Sequence, residues 1–319
     1  MQISIFGLGL RVVEWTFIKG PLRRYKSSRH DQDTPIGRQL SASTVLPDAF
    51  DLLINQRGIG WSWSQDPFPR ENTPPPSIAF LLAKTLLKLT VFDASGYIIQ
   101  RACPAVNNPK GGGIFDASLT FVPRTALAAF CGICGGIWTY AMVDSLYHIF
   151  TLIGRIVLRQ PASAWPRLFH RPWMSTSIHE FWSFRWHQMI RHLFIAFGAR
   201  PGGALFGKPG AFMGAFAVSA ILHHVGLWGT GSGTEFVTVG GFFLLMGVGT
   251  VIEEGFKNMT GLQVRGWLGW SWTMLWTILC GTFMIDGWAR EGAFATEYFP
   301  NGFRPGKVVV DAIIAMSSK

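Results

Sequence analysis

The chain has 319 residues, 49% of them hydrophobic, with 14 Trp and 26 Phe, which is more apolar side chain than a soluble domain of this size usually carries. Only 14% of residues are charged, yet the formal net charge is +10. A membrane enzyme or transporter is therefore the leading class, and nucleic acid is set aside as a partner. A basic excess beside spanning segments is the ordinary positive-inside bias of cytoplasmic loops.

Residues 1–18 are apolar and helix-compatible. They read as a membrane-associated start and not as a signal sequence, because Arg11 and Glu14 interrupt the run and no small-residue cleavage site follows. The basic cluster in GPLRRYKSSRH (20–30) then points to the cytoplasmic face. Pro35, Pro47, Pro67, Pro69 and Pro74 to Pro76 make 27–76 mostly irregular. Within it, DAFDLLINQRGIGWSW (48–63) suits an interfacial helix or docked loop with tryptophan headgroup anchors.

The stretch 77–99 predicts a helix with Lys84 and Lys88 on one face. Loop signals fill 103–118. The apolar run 120–158 predicts one tilted span with an amphipathic extension, where Asp144 and His148, four apart, read as a buried structural pair. Cys131 and Cys134 form CGIC in this run. With no second CxxC they read, like Cys103 and Cys280, as core packing.

From Arg155 to Lys208 there are eight Arg or Lys against the single acid Glu180, so 159–208 reads as a basic cytoplasmic loop. Ser175 to Ser177 are N-cap candidates for a helix within it that carries His179, Trp182, Trp186, His187 and Arg191. GARPGGALFGKPG (198–210) is expected to break the chain before the span 210–228, which holds His223 and His224. Further spans are expected at 236–252 and 267–288, joined by a polar connection at 253–265. The tryptophans of the last span cluster toward its ends as an aromatic belt would. VVVDAIIAM near the C-terminus is too short to span. Alternation puts 229–235 outside and the sequon at Asn258 inside, unmodified. The expected fold is all-α: one membrane-embedded bundle over 1–319, with about five to seven membrane helices plus interfacial helices.

An ionisable group in a span is a functional-site hypothesis first. Burial disfavours a charged imidazole, so His223 is expected neutral, the state a general base needs. It can take a proton from an alcohol that attacks an acyl carbonyl. His187 can donate to the oxyanion that develops, with nearby Arg side chains meeting an anionic part of the substrate.

Resemblance enters at these residues. FWSFRWHQMIR (181–191) resembles the FWxxRW[NH] motif of the wax synthase branch of the membrane-bound O-acyltransferases, and VSAILHH (218–224) resembles that superfamily's VSxxxH helix. GLGLRVVEWT and RGIGWSW also look like segments of fungal wax-synthase-like proteins. The resemblance implies transfer of an acyl group from acyl-CoA to a hydrophobic alcohol in a tunnel through a helical bundle, with no bound cofactor and no metal. It places the catalytic roles on His223 and His187, and substrate contacts on Trp182, Arg185, Trp186, Arg191, Ser219 and His224. Fungal relatives of this type are often acetyl-CoA-dependent O-acetyltransferases of terpenoid or meroterpenoid alcohols, whereas plant relatives make wax esters; the endoplasmic reticulum membrane is the expected location. Phe184 stands where the motif often has Arg, and fewer membrane helices precede the motif than the family usually carries.

Rival classes fit less well. A di-iron desaturase needs HxxxH and HxxHH boxes that the eight scattered histidines do not form. A zinc protease fails because Ser183 stands where HExxH needs His. A transporter or scaffold remains, and it predicts that His223 and His187 are replaceable.

Overall fold

The computed structural model describes residues 2–17, 22, 42–64, 76–228, 236–300 and 303–318. Most of the basic cluster at 20–30, much of the Pro-rich stretch and the connection 229–235 lie outside the described residues. Among those described, every extended regular element is helical, and four helical stretches are long and apolar enough to cross a bilayer. The expected all-α membrane bundle is the observed one.

α3 (Ile78–Ala102) and α4 (Phe121–Ile156) form an antiparallel pair. Ser77 caps α3 by accepting the Phe80 N–H at 3.2 Å. Arg155, in the last turn of α4, reaches back to the Pro76 carbonyl at 2.7 Å. Inside the seam, Lys88 is buried in an ion pair with Asp144 and donates to the Tyr140 hydroxyl at 3.0 Å. His148 lies 3.8 Å from the same carboxylate. The expected Asp144 and His148 pair is thus part of a larger cluster, and the charge on Lys88 faces the bundle interior, where hydrocarbon cannot reach it.

α8 (Phe236–Thr260) and α9 (Gly266–Arg290) make a second antiparallel pair. α9 also packs on α4, where Gly132 and Gly135 face Thr282 and Ile285. The polar stretch expected to connect two spans at 253–265 is instead largely helix, and its Glu253 and Glu254 find partners on other segments, in the Ile178 N–H and Lys208. Asn258 lies in its last turns. The tryptophans of α9 divide: Trp267 and Trp270 are exposed near its start, while Trp272 and Trp276 turn inward and donate to Glu253 Oε1 at 2.9 Å and the Leu245 carbonyl at 3.1 Å. Only the first two fit the belt.

The chief departure lies between Arg191 and Trp228. The segment is 38 residues long, but its backbone reverses at Phe206 and Gly207. α6 (Arg191–Leu193) passes through a wider π-type turn, Phe194–Ala199, into the start of α7 (Arg200–Trp228). After the reversal the rest of α7 returns alongside. Gly198 faces Gly214 and Gly202 faces Gly210, so closely that a Cβ on any of the four would strike the opposing carbonyl. Two GxxxG pairs therefore let the backbones touch, as small residues do between membrane helices. Gly207 sits at φ 64, ψ −153, a region that is essentially open to Gly alone. GARPGGALFGKPG does break the chain, but as a helical hairpin. Much of the expected basic loop is packed inside the bundle from Ile178 onward, because Ile178, Phe181 and Leu193 are buried there.

Two further helices border the bundle. α1 (Gln2–Phe17) packs on α7 and α6. Its Arg11, 1% exposed, donates to the Asn55 carbonyl at 3.0 Å and lies 3.9 Å over the Trp63 ring, which docks the loop after α2 (Ala42–Ile54). α10 (Pro305–Ser317) lies along α3, where Asp93 accepts from Arg304 at 2.7 Å and from the Gly306 N–H at 2.9 Å.

Candidate functional site

The motif segment enters the bundle at a one-turn helix, α5 (Ile178–Glu180), and continues as a π-type turn, Phe181–Arg185. Ser177 is the N-cap, its hydroxyl accepting the Glu180 N–H at 2.9 Å, so the expected cap is present. Glu180 accepts from the Thr176 N–H at 2.7 Å and from Arg185 at 2.7 Å. Burial works against its charge, but these donors outweigh it and hold the carboxyl below the usual range.

The helix expected to run from His179 to Arg191 stops at Arg185, and Trp186 is extended at φ −74, ψ 164. Polar side chains explain the break. Gln188 donates to the carbonyls of Trp182 (3.0 Å) and Trp186 (2.8 Å), and Arg191 donates to the Ser183 carbonyl, so carbonyls that would continue a helix are taken by side chains. His187 and Arg191 therefore do not share a helical face. Arg185 holds Glu180 and donates to the His170 carbonyl at 3.2 Å. The two arginines expected to meet an anionic substrate spend these donors on the shape of the segment itself.

The aromatic residues converge. Trp182 packs on Phe216 of α7 and on Phe242 and Phe243 of α8. Phe243 in turn stacks on the His223 ring, 4.2 Å between centroids with 30° between planes. Trp186 stacks on Phe181 at 5.4 Å and meets Phe169 at 4.9 Å. Phe169 also contacts His187 at 5.9 Å. Trp182, Trp186, His187 and His223 thus share one aromatic wall, although forty residues separate its ends in the chain.

His223 Nδ1 lies 2.8 Å from the Ser219 carbonyl oxygen. A carbonyl only accepts, so the proton sits on Nδ1 and the Nε2 lone pair is left for an incoming hydroxyl. His187 is half-buried, and its Nδ1 has no hydrogen-bond partner among the described residues. Burial, the neighbouring His223 imidazole and the Arg57 guanidinium push its pKa down to about 3, so His187 is neutral at physiological pH and has one N–H to give. His224, next along α7, points elsewhere and packs edge-on against Phe236 at 5.2 Å. Ser219 approaches His223 through its backbone; its hydroxyl stands at 3.5 Å.

Two residues of this region carried no role in the sequence reading. Arg57 donates to the carbonyls of Pro166 (2.9 Å) and Arg167 (3.1 Å), pinning the chain just before Phe169. Glu253 accepts from the Ile178 and His179 N–H groups. Glu253 opens the polar stretch that follows an apolar run, and Arg57 opens RGIGWSW, one of the segments that carry the resemblance; neither position states a role.

Residues 165–245 match the model of the Membrane bound O-acyl transferase family. The chain is 26% identical over 285 residues to O-Mevalon transferase macI of Penicillium terrestre, which covers 80% of this chain and 64% of that protein. It is 27% identical over 149 residues to Acetyltransferase eriL of Hericium erinaceus, covering 43% of this chain and 39% of the relative. It is 29% identical over 105 residues to the Long-chain-alcohol O-fatty-acyltransferase of Simmondsia chinensis, 30% of each. The chain thus spans less than two thirds of the length of these relatives. The matched residues include FWSFRWH, the hairpin, His223 and Phe243, so the stretch that carries the candidate site is the one similar to the membrane-bound O-acyltransferase family.

Proposed function

We propose that the protein transfers an acyl group from acyl-CoA to the hydroxyl of a terpenoid or meroterpenoid alcohol, with acetyl-CoA as donor, in the endoplasmic reticulum membrane. The observation that carries this reading is the His223 ring, with Nδ1 committed to the Ser219 carbonyl, set on the aromatic wall it shares with His187 inside the family-matched segment. In the reaction, His223 Nε2 takes the alcohol proton as its oxygen bonds to the thioester carbon. The resulting oxyanion accepts from the His187 N–H. The carbonyl reforms as the C–S bond breaks, and the imidazolium returns its proton to the departing thiolate. Ester and CoA thiol leave, and both histidines are neutral again. General base catalysis of this kind contributes roughly 10²- to 10⁴-fold, and one oxyanion donor about 10²- to 10³-fold.

The relatives named for mevalon and acetyl transfer support a short acyl group and a small-molecule acceptor. The relative named for long-chain alcohols favours a second reading, wax ester synthesis. Purified protein or microsomes supplied with acetyl-CoA, mevalonyl-CoA or palmitoyl-CoA, each with a terpenoid alcohol or a long-chain alcohol, separate the two. Ester formation from the short donor that disappears in His223→Ala supports the proposal. Equal turnover by His223→Ala and the parent would refute it.

A further inference from the structure

We propose that Glu253 is a positioning residue for this reaction: its carboxylate, fixed on α8, sets where the motif segment lies relative to His223. The kinetic part rests on the acyltransferase reading above; the latch itself does not.

A helix start leaves backbone N–H groups without intrahelical partners. At the mouth of the motif segment, Ser177 takes the Glu180 N–H and Glu180 takes that of Thr176. The N–H groups of Ile178 and His179 remain, and both point at Glu253, at 2.6 Å to Oε1 and 3.0 Å to Oε2. The Trp272 indole of α9 donates to the same Oε1 at 2.9 Å. Glu253 is 7% exposed and, among the described residues, makes no ion pair, so N–H groups meet its charge. Hydrogen bonds to an ionised acceptor are roughly twice as strong as neutral ones. Because two of them end on backbone, they fix the chain and not just a rotamer.

Packing repeats the message around the latch. Ile178 fits over Gly249, one turn earlier on α8, and the Thr176 carbonyl sits over Gly269 of α9. The Trp270 indole donates to the Trp173 carbonyl at 2.9 Å. Ala220, Phe242, Met246 and Cys280 of α7, α8 and α9 share one apolar core with Ile178, and Trp182 packs against it. Removing the carboxylate leaves this apolar contact in place, so the motif segment stays docked and shifts within the bundle. A cavity of about 430 Å³, lined by Ser177, His179, Lys208 and Lys257 among others, reaches Glu253, so a small carboxylate can take the place of a deleted side chain.

The experiment compares the full chain with Glu253→Gln and Glu253→Ala in detergent. Amide exchange across 176–190 should quicken by about tenfold or more in Glu253→Gln while α3 and α4 keep parental rates. Parental exchange at 178 and 179 overturns the latch, whatever reaction the protein performs. In turnover, kcat should fall by about 10- to 100-fold with KM for donor and alcohol within about threefold, the signature of a misplaced catalytic group. Formate should restore part of the kcat of Glu253→Ala. A folded Glu253→Gln with parental kcat, or a loss confined to KM, overturns the positioning role. Should both Glu253 variants fail to fold, Trp272→Phe removes one donor to the same carboxylate. It should raise exchange at 178 and 179, and unchanged exchange there counts against the latch. An inactive parent would sink the reaction assigned above and leave the exchange result standing.

Discussion

His223 and Ser219 are joined through the backbone: the imidazole Nδ1 donates to the carbonyl one turn earlier at 2.8 Å, whereas the serine hydroxyl is at 3.5 Å. The first is a normal hydrogen bond and the second is at the edge of being one. The serine side chain is therefore dispensable for the tautomer, and the carbonyl is not. Ser219→Ala should keep turnover within about threefold of the parent, while His223→Ala should lose about 10²- to 10⁴-fold. Initial rates of ester formation measure both, and a Ser219→Ala enzyme as poor as His223→Ala would show that the hydroxyl acts directly.

His187 makes acid a specific weakness. Its pKa is pushed down to about 3 in the folded chain against about 6.5 when unfolded. Between those values the unfolded chain binds the proton and the folded one does not, so stability falls as pH drops from about 6.5 toward 3 and is fully present above 6.5. The slope this one group adds is at most about 1.4 kcal/mol per pH unit. His187→Asn, which keeps a donor and cannot titrate, should lose less thermal stability than the parent between pH 7 and pH 5 in the same detergent. Parallel curves would mean that the ring is not held neutral.

The hairpin supplies a paired test. A Cβ on Gly202 would collide with the Gly210 carbonyl, whereas one on Gly241, in α8, would meet nothing within 4 Å. Gly202→Ala should force the arms apart, lower the melting temperature and reduce turnover, because the arms carry the motif segment into His223. Gly241→Ala should be neutral or stabilising by up to about 1 kcal/mol through helix propensity alone. Thermal unfolding of the two variants decides it. A Gly202→Ala protein as stable as the parent would mean that the arms are not in contact.

Much of this was legible in the residues. Long apolar runs announced α3, α4 and α9 to within a few positions and the start of α8, whose helix runs eight residues past the expected end at 252. FWSFRWH and the histidine pair mark the segments on which the candidate site is built. The hairpin was not legible as such, since GARPGGALFGKPG spells a break and nothing local states that its two sides will touch; that depends on Gly198 and Gly202 meeting Gly214 and Gly210 across the turn. The motif helix stops short of its expected end at Arg191 for a related reason. Gln188 and Arg191 have ordinary helix propensity, and only in three dimensions do they capture the carbonyls of Trp182 and Ser183. Glu253 reads as the start of a loop because an acid usually ends a span, and its partners Ile178 and His179 lie 75 and 74 residues away.

The Lys88 and Asp144 pair gives the last test, and its sign is informative. Both groups are buried between α3 and α4, with Tyr140 and His148 at their sides. Deleting one partner strands the other charge in a low-dielectric seam, which typically costs about 3 to 5 kcal/mol, whereas replacing both by apolar residues of similar volume is often neutral or better. Lys88→Met alone and Asp144→Leu alone should therefore each be strongly destabilised, and the two combined should recover most of the loss. The double variant should also keep turnover, because neither residue touches the wall that carries His187 and His223. Thermal unfolding and initial rates of the two single variants and the double variant make the cycle. A double variant that is stable but inactive would move this cluster from the scaffold into the reaction.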